Sequence, residues 1–547
     1  MSGYQRQWLP SDVVAGVTLA AYAIPVSLAY ATLAGLPPHY GIYCYLVGGL
    51  AYALFGTSRQ LAVGPTSAIA LLVGTTIATM AADDPRRWAE IAALTALVVA
   101  ALSALAWLLR LSALMSFVSE TILLGFKAGA ALTIALTQLP KLFGVPGGGG
   151  HFFERVWILL GQLPQTNLTV LGFGLIALTL LLIGDKLLPG RPIALAVVVL
   201  SIVVMSISSL GEHGLTIVGE IPPRLPEIRL PSLRLRDVDG VIPLACACFL
   251  LSYIEGVSAA RALAAKNGYE IDSRQELLGL CAANFAAAFA QGFPVAGGLS
   301  QSAVNDKAGA KTPLSLVVAS VTLGICLLLL TSLLKNLPNV VLAAVVLVAV
   351  RGLIDPSGLR RLRQVSKLEF NIALVALVGV LLLGILKGVL LAAIVSLLLL
   401  ITVAARPNVA FLGRIPGTRR YSDMARHPTN EVVPGVLIFR VEASLLYFNV
   451  DHVRQVIWDR VRAMEPLRLI VCDLSNAPYV DVAGARFLSS LQKDLAARGI
   501  ALRLVEAHAR VRDLLRAEGL EERVGYFGRH LSVDQAILEF EEAGKGA

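Results

Sequence analysis

The sequence predicts an α-helical polytopic membrane protein, with about fourteen transmembrane segments followed by a small α/β domain. Composition is the first reason. Of 547 residues, 56% are hydrophobic and only 15% charged, and the mean hydropathy is +0.73, too apolar for a soluble chain of this size. The second reason is a run of apolar stretches, separated by short polar loops, that continues to about residue 405. The third is a change of pattern near residue 431, where strand-like and helix-like segments begin to alternate.

A span needs roughly 20 apolar residues. On that measure the first seven segments cover 11–33, 40–57, 60–80, 88–110, 113–138, 167–187 and 191–210. After a long polar loop the second seven cover 241–263, 274–293, 294–309, 312–334, 338–352, 366–385 and 387–405. The polar opening "MSGYQRQWLPSDVVAG" precedes an apolar run too long for a signal peptide, so that run reads as the first span. Residues 1–405 then form the transmembrane domain, and 406–430, punctuated by Pro407, Pro416, Gly417 and Pro428, a linker. Residues 431–547 form the terminal domain. Within it "GVLIFRVEASLLYFN", "LRLIVCDLS" and "IALRLVEA" read as strands. "VDHVRQVIWDRVRAM", "VAGARFLSSLQKDLAARG" and "ARVRDLLRAEGL" read as helices.

The basic residues orient the chain. With the N-terminus inside, the cytoplasmic loops carry Arg59, Arg110, Lys186, Arg191, Arg261, Lys266, Arg274, Lys307, Lys311 and the cluster Arg351 to Lys367, as the positive-inside rule requires. Loop 211–240 disagrees, with Arg224, Arg229, Arg234 and Arg236 on the outer side, but long loops weigh less in that rule. The N-terminus and the terminal domain are therefore expected in the cytoplasm, on the inner face of the cell membrane. The formal charge of +9 lacks the basic stripe with interleaved aromatics of a nucleic-acid binder. The six cysteines lack metal spacing and read as small packing residues, and the seven histidines form no metal motif. No metal, cofactor or enzymatic activity is expected, because no nucleophile–base pair stands out.

Two segments are interrupted at matching places. "QLAVGPTSAIALLVG" (60–74) is third in the first seven, and "FPVAGGLSQSAVNDKAG" (293–309) third in the second. Each begins extended, passes through glycine and only then reads as helix. Interrupted segments at corresponding positions point to a transporter's binding site. A half-helix starting in mid-membrane leaves its first N–H groups unpaired and its positive dipole end exposed, so two such ends facing each other make an anion site. Pro65 is expected in the first helical turn, with the N–H groups of Thr66, Ser67 and Ala68 aimed at the centre.

Charges inside spans are costly and by default functional. Glu255 lies near the middle of its segment, with Ser252 and Ser258 on the same face. Glu120 and Lys127, seven apart, read as a mutually compensating scaffold pair, and Asn284 as glue between helices.

These motifs resemble the sulfate permease (SulP) family of anion transporters over nearly the whole chain. "AIPVSLAYATLAGLPPHYGIYCYLVGGLAYALFGTSRQLAVGPTSA", "RALAAKNGYEIDSRQELLGLCAANF" and "GGLSQSAVNDKAGAKTPLS" carry the likeness. The resemblance implies a seven-plus-seven inverted repeat, in which a core domain (segments 1–4 and 8–11) moves against a gate domain (segments 5–7 and 12–14). It implies an anion held by Val26 and Tyr30 on the first segment, Thr66 and Ser67 on the third, and Leu299, Ser300 and Gln301 on the tenth. It also implies proton coupling at Glu255. The chain departs from many relatives in having Gln301 where they carry Arg, which weakens the case for a doubly charged substrate.

The tail resembles a STAS domain. Val482 and Ala483 stand where phosphorylatable members have serine, so a phosphoswitch is not expected, and Asp481 reads as a helix N-cap. The expected function is secondary active transport of sulfate or a similar oxyanion, coupled to protons, by alternating access. The alternative is a bicarbonate, dicarboxylate or chloride transporter or exchanger without proton coupling. The expected partners are the small inorganic or carboxylate anion, the proton, the lipid bilayer and a second copy in a homodimer; nucleic acid is not among them.

Overall fold

The computed structural model describes residues 5–81, 84–111, 120–188, 192–208, 211, 214–231, 234, 237–464, 466–528 and 531–545, in two compact units, 1–396 and 397–547. The helices run in chain order as α1 (Leu9–Leu33), α2 (His39–Phe55), α3 (Ser67–Ala81), α4 (Pro85–Leu108), α5 (Glu120–Phe143), α6 (Phe152–Gln162), α7 (Leu168–Leu187) and α8 (Ile193–Ile207). They continue as α9 (Val238–Asn267), α10 (Ser273–Phe289), α11 (Leu299–Lys307), α12 (Leu314–Leu329), α13 (Thr331–Leu334), α14 (Asn339–Arg351), α15 (Pro356–Val365), α16 (Lys367–Leu383) and α17 (Ile385–Ala405). Two short strands, β1 (Val63–Gly64) and β2 (Ala296–Gly297), precede α3 and α11. Among the described residues six helices are long and apolar enough to cross a bilayer unaided, while α3, α8 and α12 are apolar but shorter. The short helices α6 and α15 were not anticipated; both are amphipathic, and neither is long enough to register as an apolar run.

Packing sorts the first unit into two bodies. In one, α1, α2, α3, α4, α9, α10, α11 and α12 pack on one another; in the other, α5, α7, α14 and α16 do so, with α6, α8 and α15 attached. These are the expected core and gate. They meet where α1 touches α8 and α14 and where α3 touches α5 and α14. Without a hydrophobic drive between helices in lipid, tight contact depends on small residues that let backbones approach. Gly41 does this for α2 on α1: a Cβ there would lie 1.9 Å from the Ser27 carbonyl oxygen.

Two buried carboxylates tie loops to helices in the core. Asp12, fully buried, accepts from the Lys311 and Thr312 N–H groups (2.7 and 3.0 Å) and the Thr312 hydroxyl (2.6 Å). Glu276 accepts from the Tyr52 hydroxyl (2.7 Å), the Thr57 hydroxyl (2.5 Å) and the N–H groups of Thr57 and Ser58 (2.8 and 3.2 Å). A buried carboxylate is tolerated when its lone pairs are met in this way. The arginines of the discordant loop are also compensated: Arg224 and Arg229 share Glu227, and Arg234 reaches Glu90 at 3.5 Å. Arg236 lies outside the described residues, as does Arg191.

The second unit is an α/β layer structure. It contains β3 (Val409–Arg414), β4 (Tyr421–Asp423), β5 (Val436–Val441), α18 (Val450–Ala463), β6 (Leu469–Asp473), α19 (Val482–Ala496), β7 (Ala501–Val505), α20 (Ala509–Ala517), α21 (Glu521–Val524) and α22 (Val533–Lys545). The sheet order is β4-β3-β5-β6-β7, with β5, β6 and β7 parallel and β3 antiparallel to both its neighbours. Alternating residues feed two cores: Phe439, Ile470 and Cys472 on one face, Ile438 and Val471 on the other.

The expected linker is where the structure differs most. Residues 409–414 and 421–423 are strands of this sheet, with Phe411 paired to Phe439. Pro407, Pro416, Gly417 and Pro428 lie before, between and after these two strands, outside the paired residues, where proline is compatible with a sheet.

The Asp481 side chain caps α19, accepting from the Gly484 N–H at 2.8 Å; it also accepts from the Tyr447 N–H at 2.8 Å. Asp481→Ala is expected to destabilise this unit by about 1–2 kcal/mol, the upper half of the usual cost of losing a cap. Thermal unfolding of the two proteins measures it, and an unchanged transition would contradict the capping role.

Candidate functional site

The two interrupted segments cross in the middle of the core. β1 and β2 pair antiparallel, Val63 opposite Gly297 and Gly64 opposite Ala296, so α3 and α11 start from one crossing point. Glycine is required there by close approach. A Cβ on Gly64 would lie 2.4 Å from the buried Tyr45 ring, and one on Gly297 would lie 2.8 Å from Leu61 and 3.0 Å from the Gly256 Cα. The non-helical backbone is satisfied by polar clips, as backbone at membrane depth must be. The Gly298 N–H donates to the Ala62 carbonyl (3.2 Å), and the Ala62 N–H donates to the Ser302 hydroxyl (2.8 Å). Asn284 accepts from the Val295 N–H (3.0 Å) and donates to the Val295 carbonyl (3.1 Å), so it serves the strand rather than gluing helices. Cys44, expected only to pack, accepts from the Phe293 N–H at 3.2 Å.

Pro65 does not sit in the first helical turn. The Thr66 carbonyl accepts the first helical bond, from the Ala70 N–H, and the helix runs from Ser67. Gly64 is held in the strand pairing, and a residue before proline avoids helical conformation, so the helix begins after Pro65. Thr66 is therefore the cap, and the free N–H groups start at Ser67. The Thr66 hydroxyl has no hydrogen-bond partner among the described residues. On the other side Gly298 caps α11 without a side chain, leaving the N–H groups of Leu299, Ser300 and Gln301 as the first turn.

These two helix starts open on a cavity of about 190 Å³. Tyr22, Val26 and Tyr30 line it from α1, Thr66 and Ser67 from α3, and Leu299, Ser300 and Gln301 from α11. Glu255 and Ser258 line it from α9, and Lys127 from α5. All eight residues singled out in the sequence, seven for the anion and Glu255 for the proton, thus face one space. Leu299, 58% exposed, and Ser300 turn their side chains into open space, whereas Gln301 is buried over Gly298. Both amide atoms of Gln301 lack a hydrogen-bond partner among the described residues. Buried polar atoms are normally paired, so the orphaned Thr66 hydroxyl and Gln301 amide mark a place made for something else to bind.

Ser252 is not part of this space. It is fully buried and lines a separate small space with Tyr52 and Glu276, although it shares a helical stripe with Glu255. Lys127, expected to pair with Glu120 in the scaffold, lines the cavity together with Glu255. The Glu120 side chain lies outside the described residues. The rule that a charge inside a span is functional by default singled out Lys127 as well as Glu255, but its place in the cavity was not read from the sequence.

A second space of about 650 Å³ shares Tyr22, Val26, Ser300, Ala349 and Gly352 with the first and continues it to Asp185, Lys186, Lys307 and Arg351. The three cations sit at the C-terminal ends of α7, α11 and α14. A vestibule of this sign raises the local concentration of anions.

The chain matches the model of the sulfate permease family over residues 9–376 and that of the STAS domain over 427–536. It is 34% identical over 539 residues to a protein of Mycobacterium tuberculosis (strain CDC 1551 / Oshkosh) named a probable sulfate transporter, covering 98% of this chain and 96% of that one. It is 32% identical to Probable sulfate transporter 4.2 of Arabidopsis thaliana, covering 95% and 79%. In fold it is similar to murine Solute Carrier 26 family member A9, an anion transporter solved in the inward-facing state, with a TM-score of 0.88 at 23% identity over 99% of this chain and 92% of that one. The transmembrane domain of the cyanobacterial bicarbonate transporter BicA matches with a TM-score of 0.63 at 22% identity, covering 72% and 98%. The chain belongs to the sulfate permease family, membrane transporters of anions, and carries a C-terminal STAS domain.

Proposed function

We propose that the protein is a proton-coupled secondary transporter of sulfate or a similar small oxyanion, working by alternating access. The observation that carries this reading is the pair of half-helix starts, without side-chain hydrogen bonds from their caps among the described residues, facing one cavity beside orphaned polar atoms. Two positive dipole ends stabilise an anion without a full countercharge at the point of contact. Alternating access is supported by the division into two bodies with the site at their boundary, and the matched crossing segments support a seven-plus-seven inverted repeat. The anion binds between Val26 and Tyr30 of α1 and the first turns of α3 and α11, and Glu255 carries the proton. The basic vestibule opens toward the cytoplasm of a cell whose inner membrane holds the protein, with the N-terminus and STAS domain on that side. The transporter works as a homodimer.

A second reading is bicarbonate, a dicarboxylate or chloride moved without a proton; Gln301, which brings no charge, favours its singly charged members. Uptake of labelled sulfate, bicarbonate and fumarate into proteoliposomes, with and without an imposed pH gradient, separates the two. Sulfate accumulation driven by the gradient supports the first, and uptake indifferent to the gradient overturns it.

Ser300 tests the site itself. A hydroxyl donating to a charged group is worth roughly 1.5–3 kcal/mol. Ser300→Ala should therefore weaken anion binding about ten- to hundred-fold, read by equilibrium binding to the purified protein. Unchanged affinity would remove Ser300 from the site.

A further inference from the structure

We infer that Lys127 is the cationic member of the anion site: contributed by the gate, it faces the two half-helix starts of the core and sets the preference for substrate charge. The inference rests on the proposed anion site. Gln301 brings no charge, so the first turns of α3 and α11 offer an anion only dipoles and hydrogen bonds. Lys127 is the lysine among the described residues that lines the same cavity. Its ammonium has no ion-pair partner within 4 Å among the described residues, and Glu255, the carboxylate that shares the space, makes no hydrogen bond or ion pair with the protein there. A lysine in a membrane interior is costly to retain. A bound anion would offset that cost.

The helix holds Lys127 in place from behind. A Cβ on Gly125 would lie 1.9 Å from the Ala373 carbonyl oxygen, and one on Gly129 would lie 2.9 Å from that of Leu377. Both glycines press α5 against α16. Lys127 is two positions from each, roughly 200° around the helix, so it points away from α16 and toward the core. The dipole ends and the cation therefore belong to different bodies, and an anion seated between them touches both. A dianion gains about twice as much from the ammonium as a monoanion does, because Coulomb energy scales with the product of charges.

The test is equilibrium binding of sulfate and chloride to the full-length purified protein at one ionic strength. Lys127→Gln keeps most of the stem and removes the charge. It should lower sulfate affinity about tenfold or more, and chloride affinity by a clearly smaller factor. Lys127→Arg should keep the preference, which guards against a variant that merely folds poorly. Gln301→Arg in the Lys127→Gln background should restore the sulfate-to-chloride ratio by placing a cation on the opposite wall. If Ser300→Ala loses affinity while Lys127→Gln leaves both anions within twofold, the site stands and the role of Lys127 falls. A Lys127→Gln variant that loses both anions equally also overturns it. If neither Ser300→Ala nor Lys127→Gln changes binding, the site reading itself fails, and the inference with it.

Discussion

Glu255→Gln should abolish accumulation of the anion against its gradient while leaving anion–anion exchange in place. One pH unit is worth about 1.4 kcal/mol per proton, enough for roughly tenfold accumulation when one proton accompanies each anion. Glu255 faces the cavity from α9, beside the first turns of α3 and α11, so a proton taken up there shares the compartment of the anion. Glutamine has the size and neutrality of the protonated acid but cannot release a proton. Substrate should still bind and swap, because the dipole ends, Ser300 and Gln301 are untouched. Proteoliposomes with a pH step as the sole driving force measure this: the wild type concentrates the anion, more strongly as the outer pH falls, and the variant stops at equal concentrations. Gradient-driven accumulation by the glutamine variant would show that the proton travels elsewhere.

Gly41→Ala is expected to have the largest effect on the fold. The new methyl would sit 1.9 Å from the Ser27 carbonyl oxygen and 2.5 Å from its carbon. Backbone cannot rotate out of the way as a side chain can, so α1 and α2 must separate. Overpacking costs about 1–3 kcal/mol, and this contact calls for the top of that range. The damage should reach the site, because Ser27 lies between Val26 and Tyr30, and α1 also packs on α3 and α11. Thermal unfolding and anion binding should fall together. A variant with wild-type stability would mean that α1 and α2 are not held in backbone contact.

How much of this was legible depends on the kind of signal. Apolar runs of span length located nearly every helix of the first unit, because lipid admits few alternatives to a helix there. The glycines and Pro65 marked both crossing segments for the same reason: they are out of place in an uninterrupted span. Where Pro65 sits relative to the cap was not legible. That depends on Gly64 pairing with Ala296, a partner 232 positions away in the chain (296 minus 64). The strand at Val409–Arg414 was hidden by flanking prolines, which signal a linker and the ends of a strand alike.

The sequence by itself determined that the chain spans a membrane in many helices, that two of its segments break in mid-course, and that an α/β domain follows. Each of these follows from local chemistry: side-chain hydropathy, helix-breaking residues and the period of the apolar pattern. Only the tertiary structure decided which charges share a space. Ser252 and Glu255 lie on one helical stripe yet line different spaces, one shared with Glu276 and the other the anion cavity. Lys127 and Glu255 are 128 residues apart (255 minus 127) and share one cavity, because α5 is locked on α16 and α9 packs beside α3. Long-range proximity is set by how helices pack, and helix packing depends on backbone approach at a few small residues, which hydropathy and spacing along one chain do not encode.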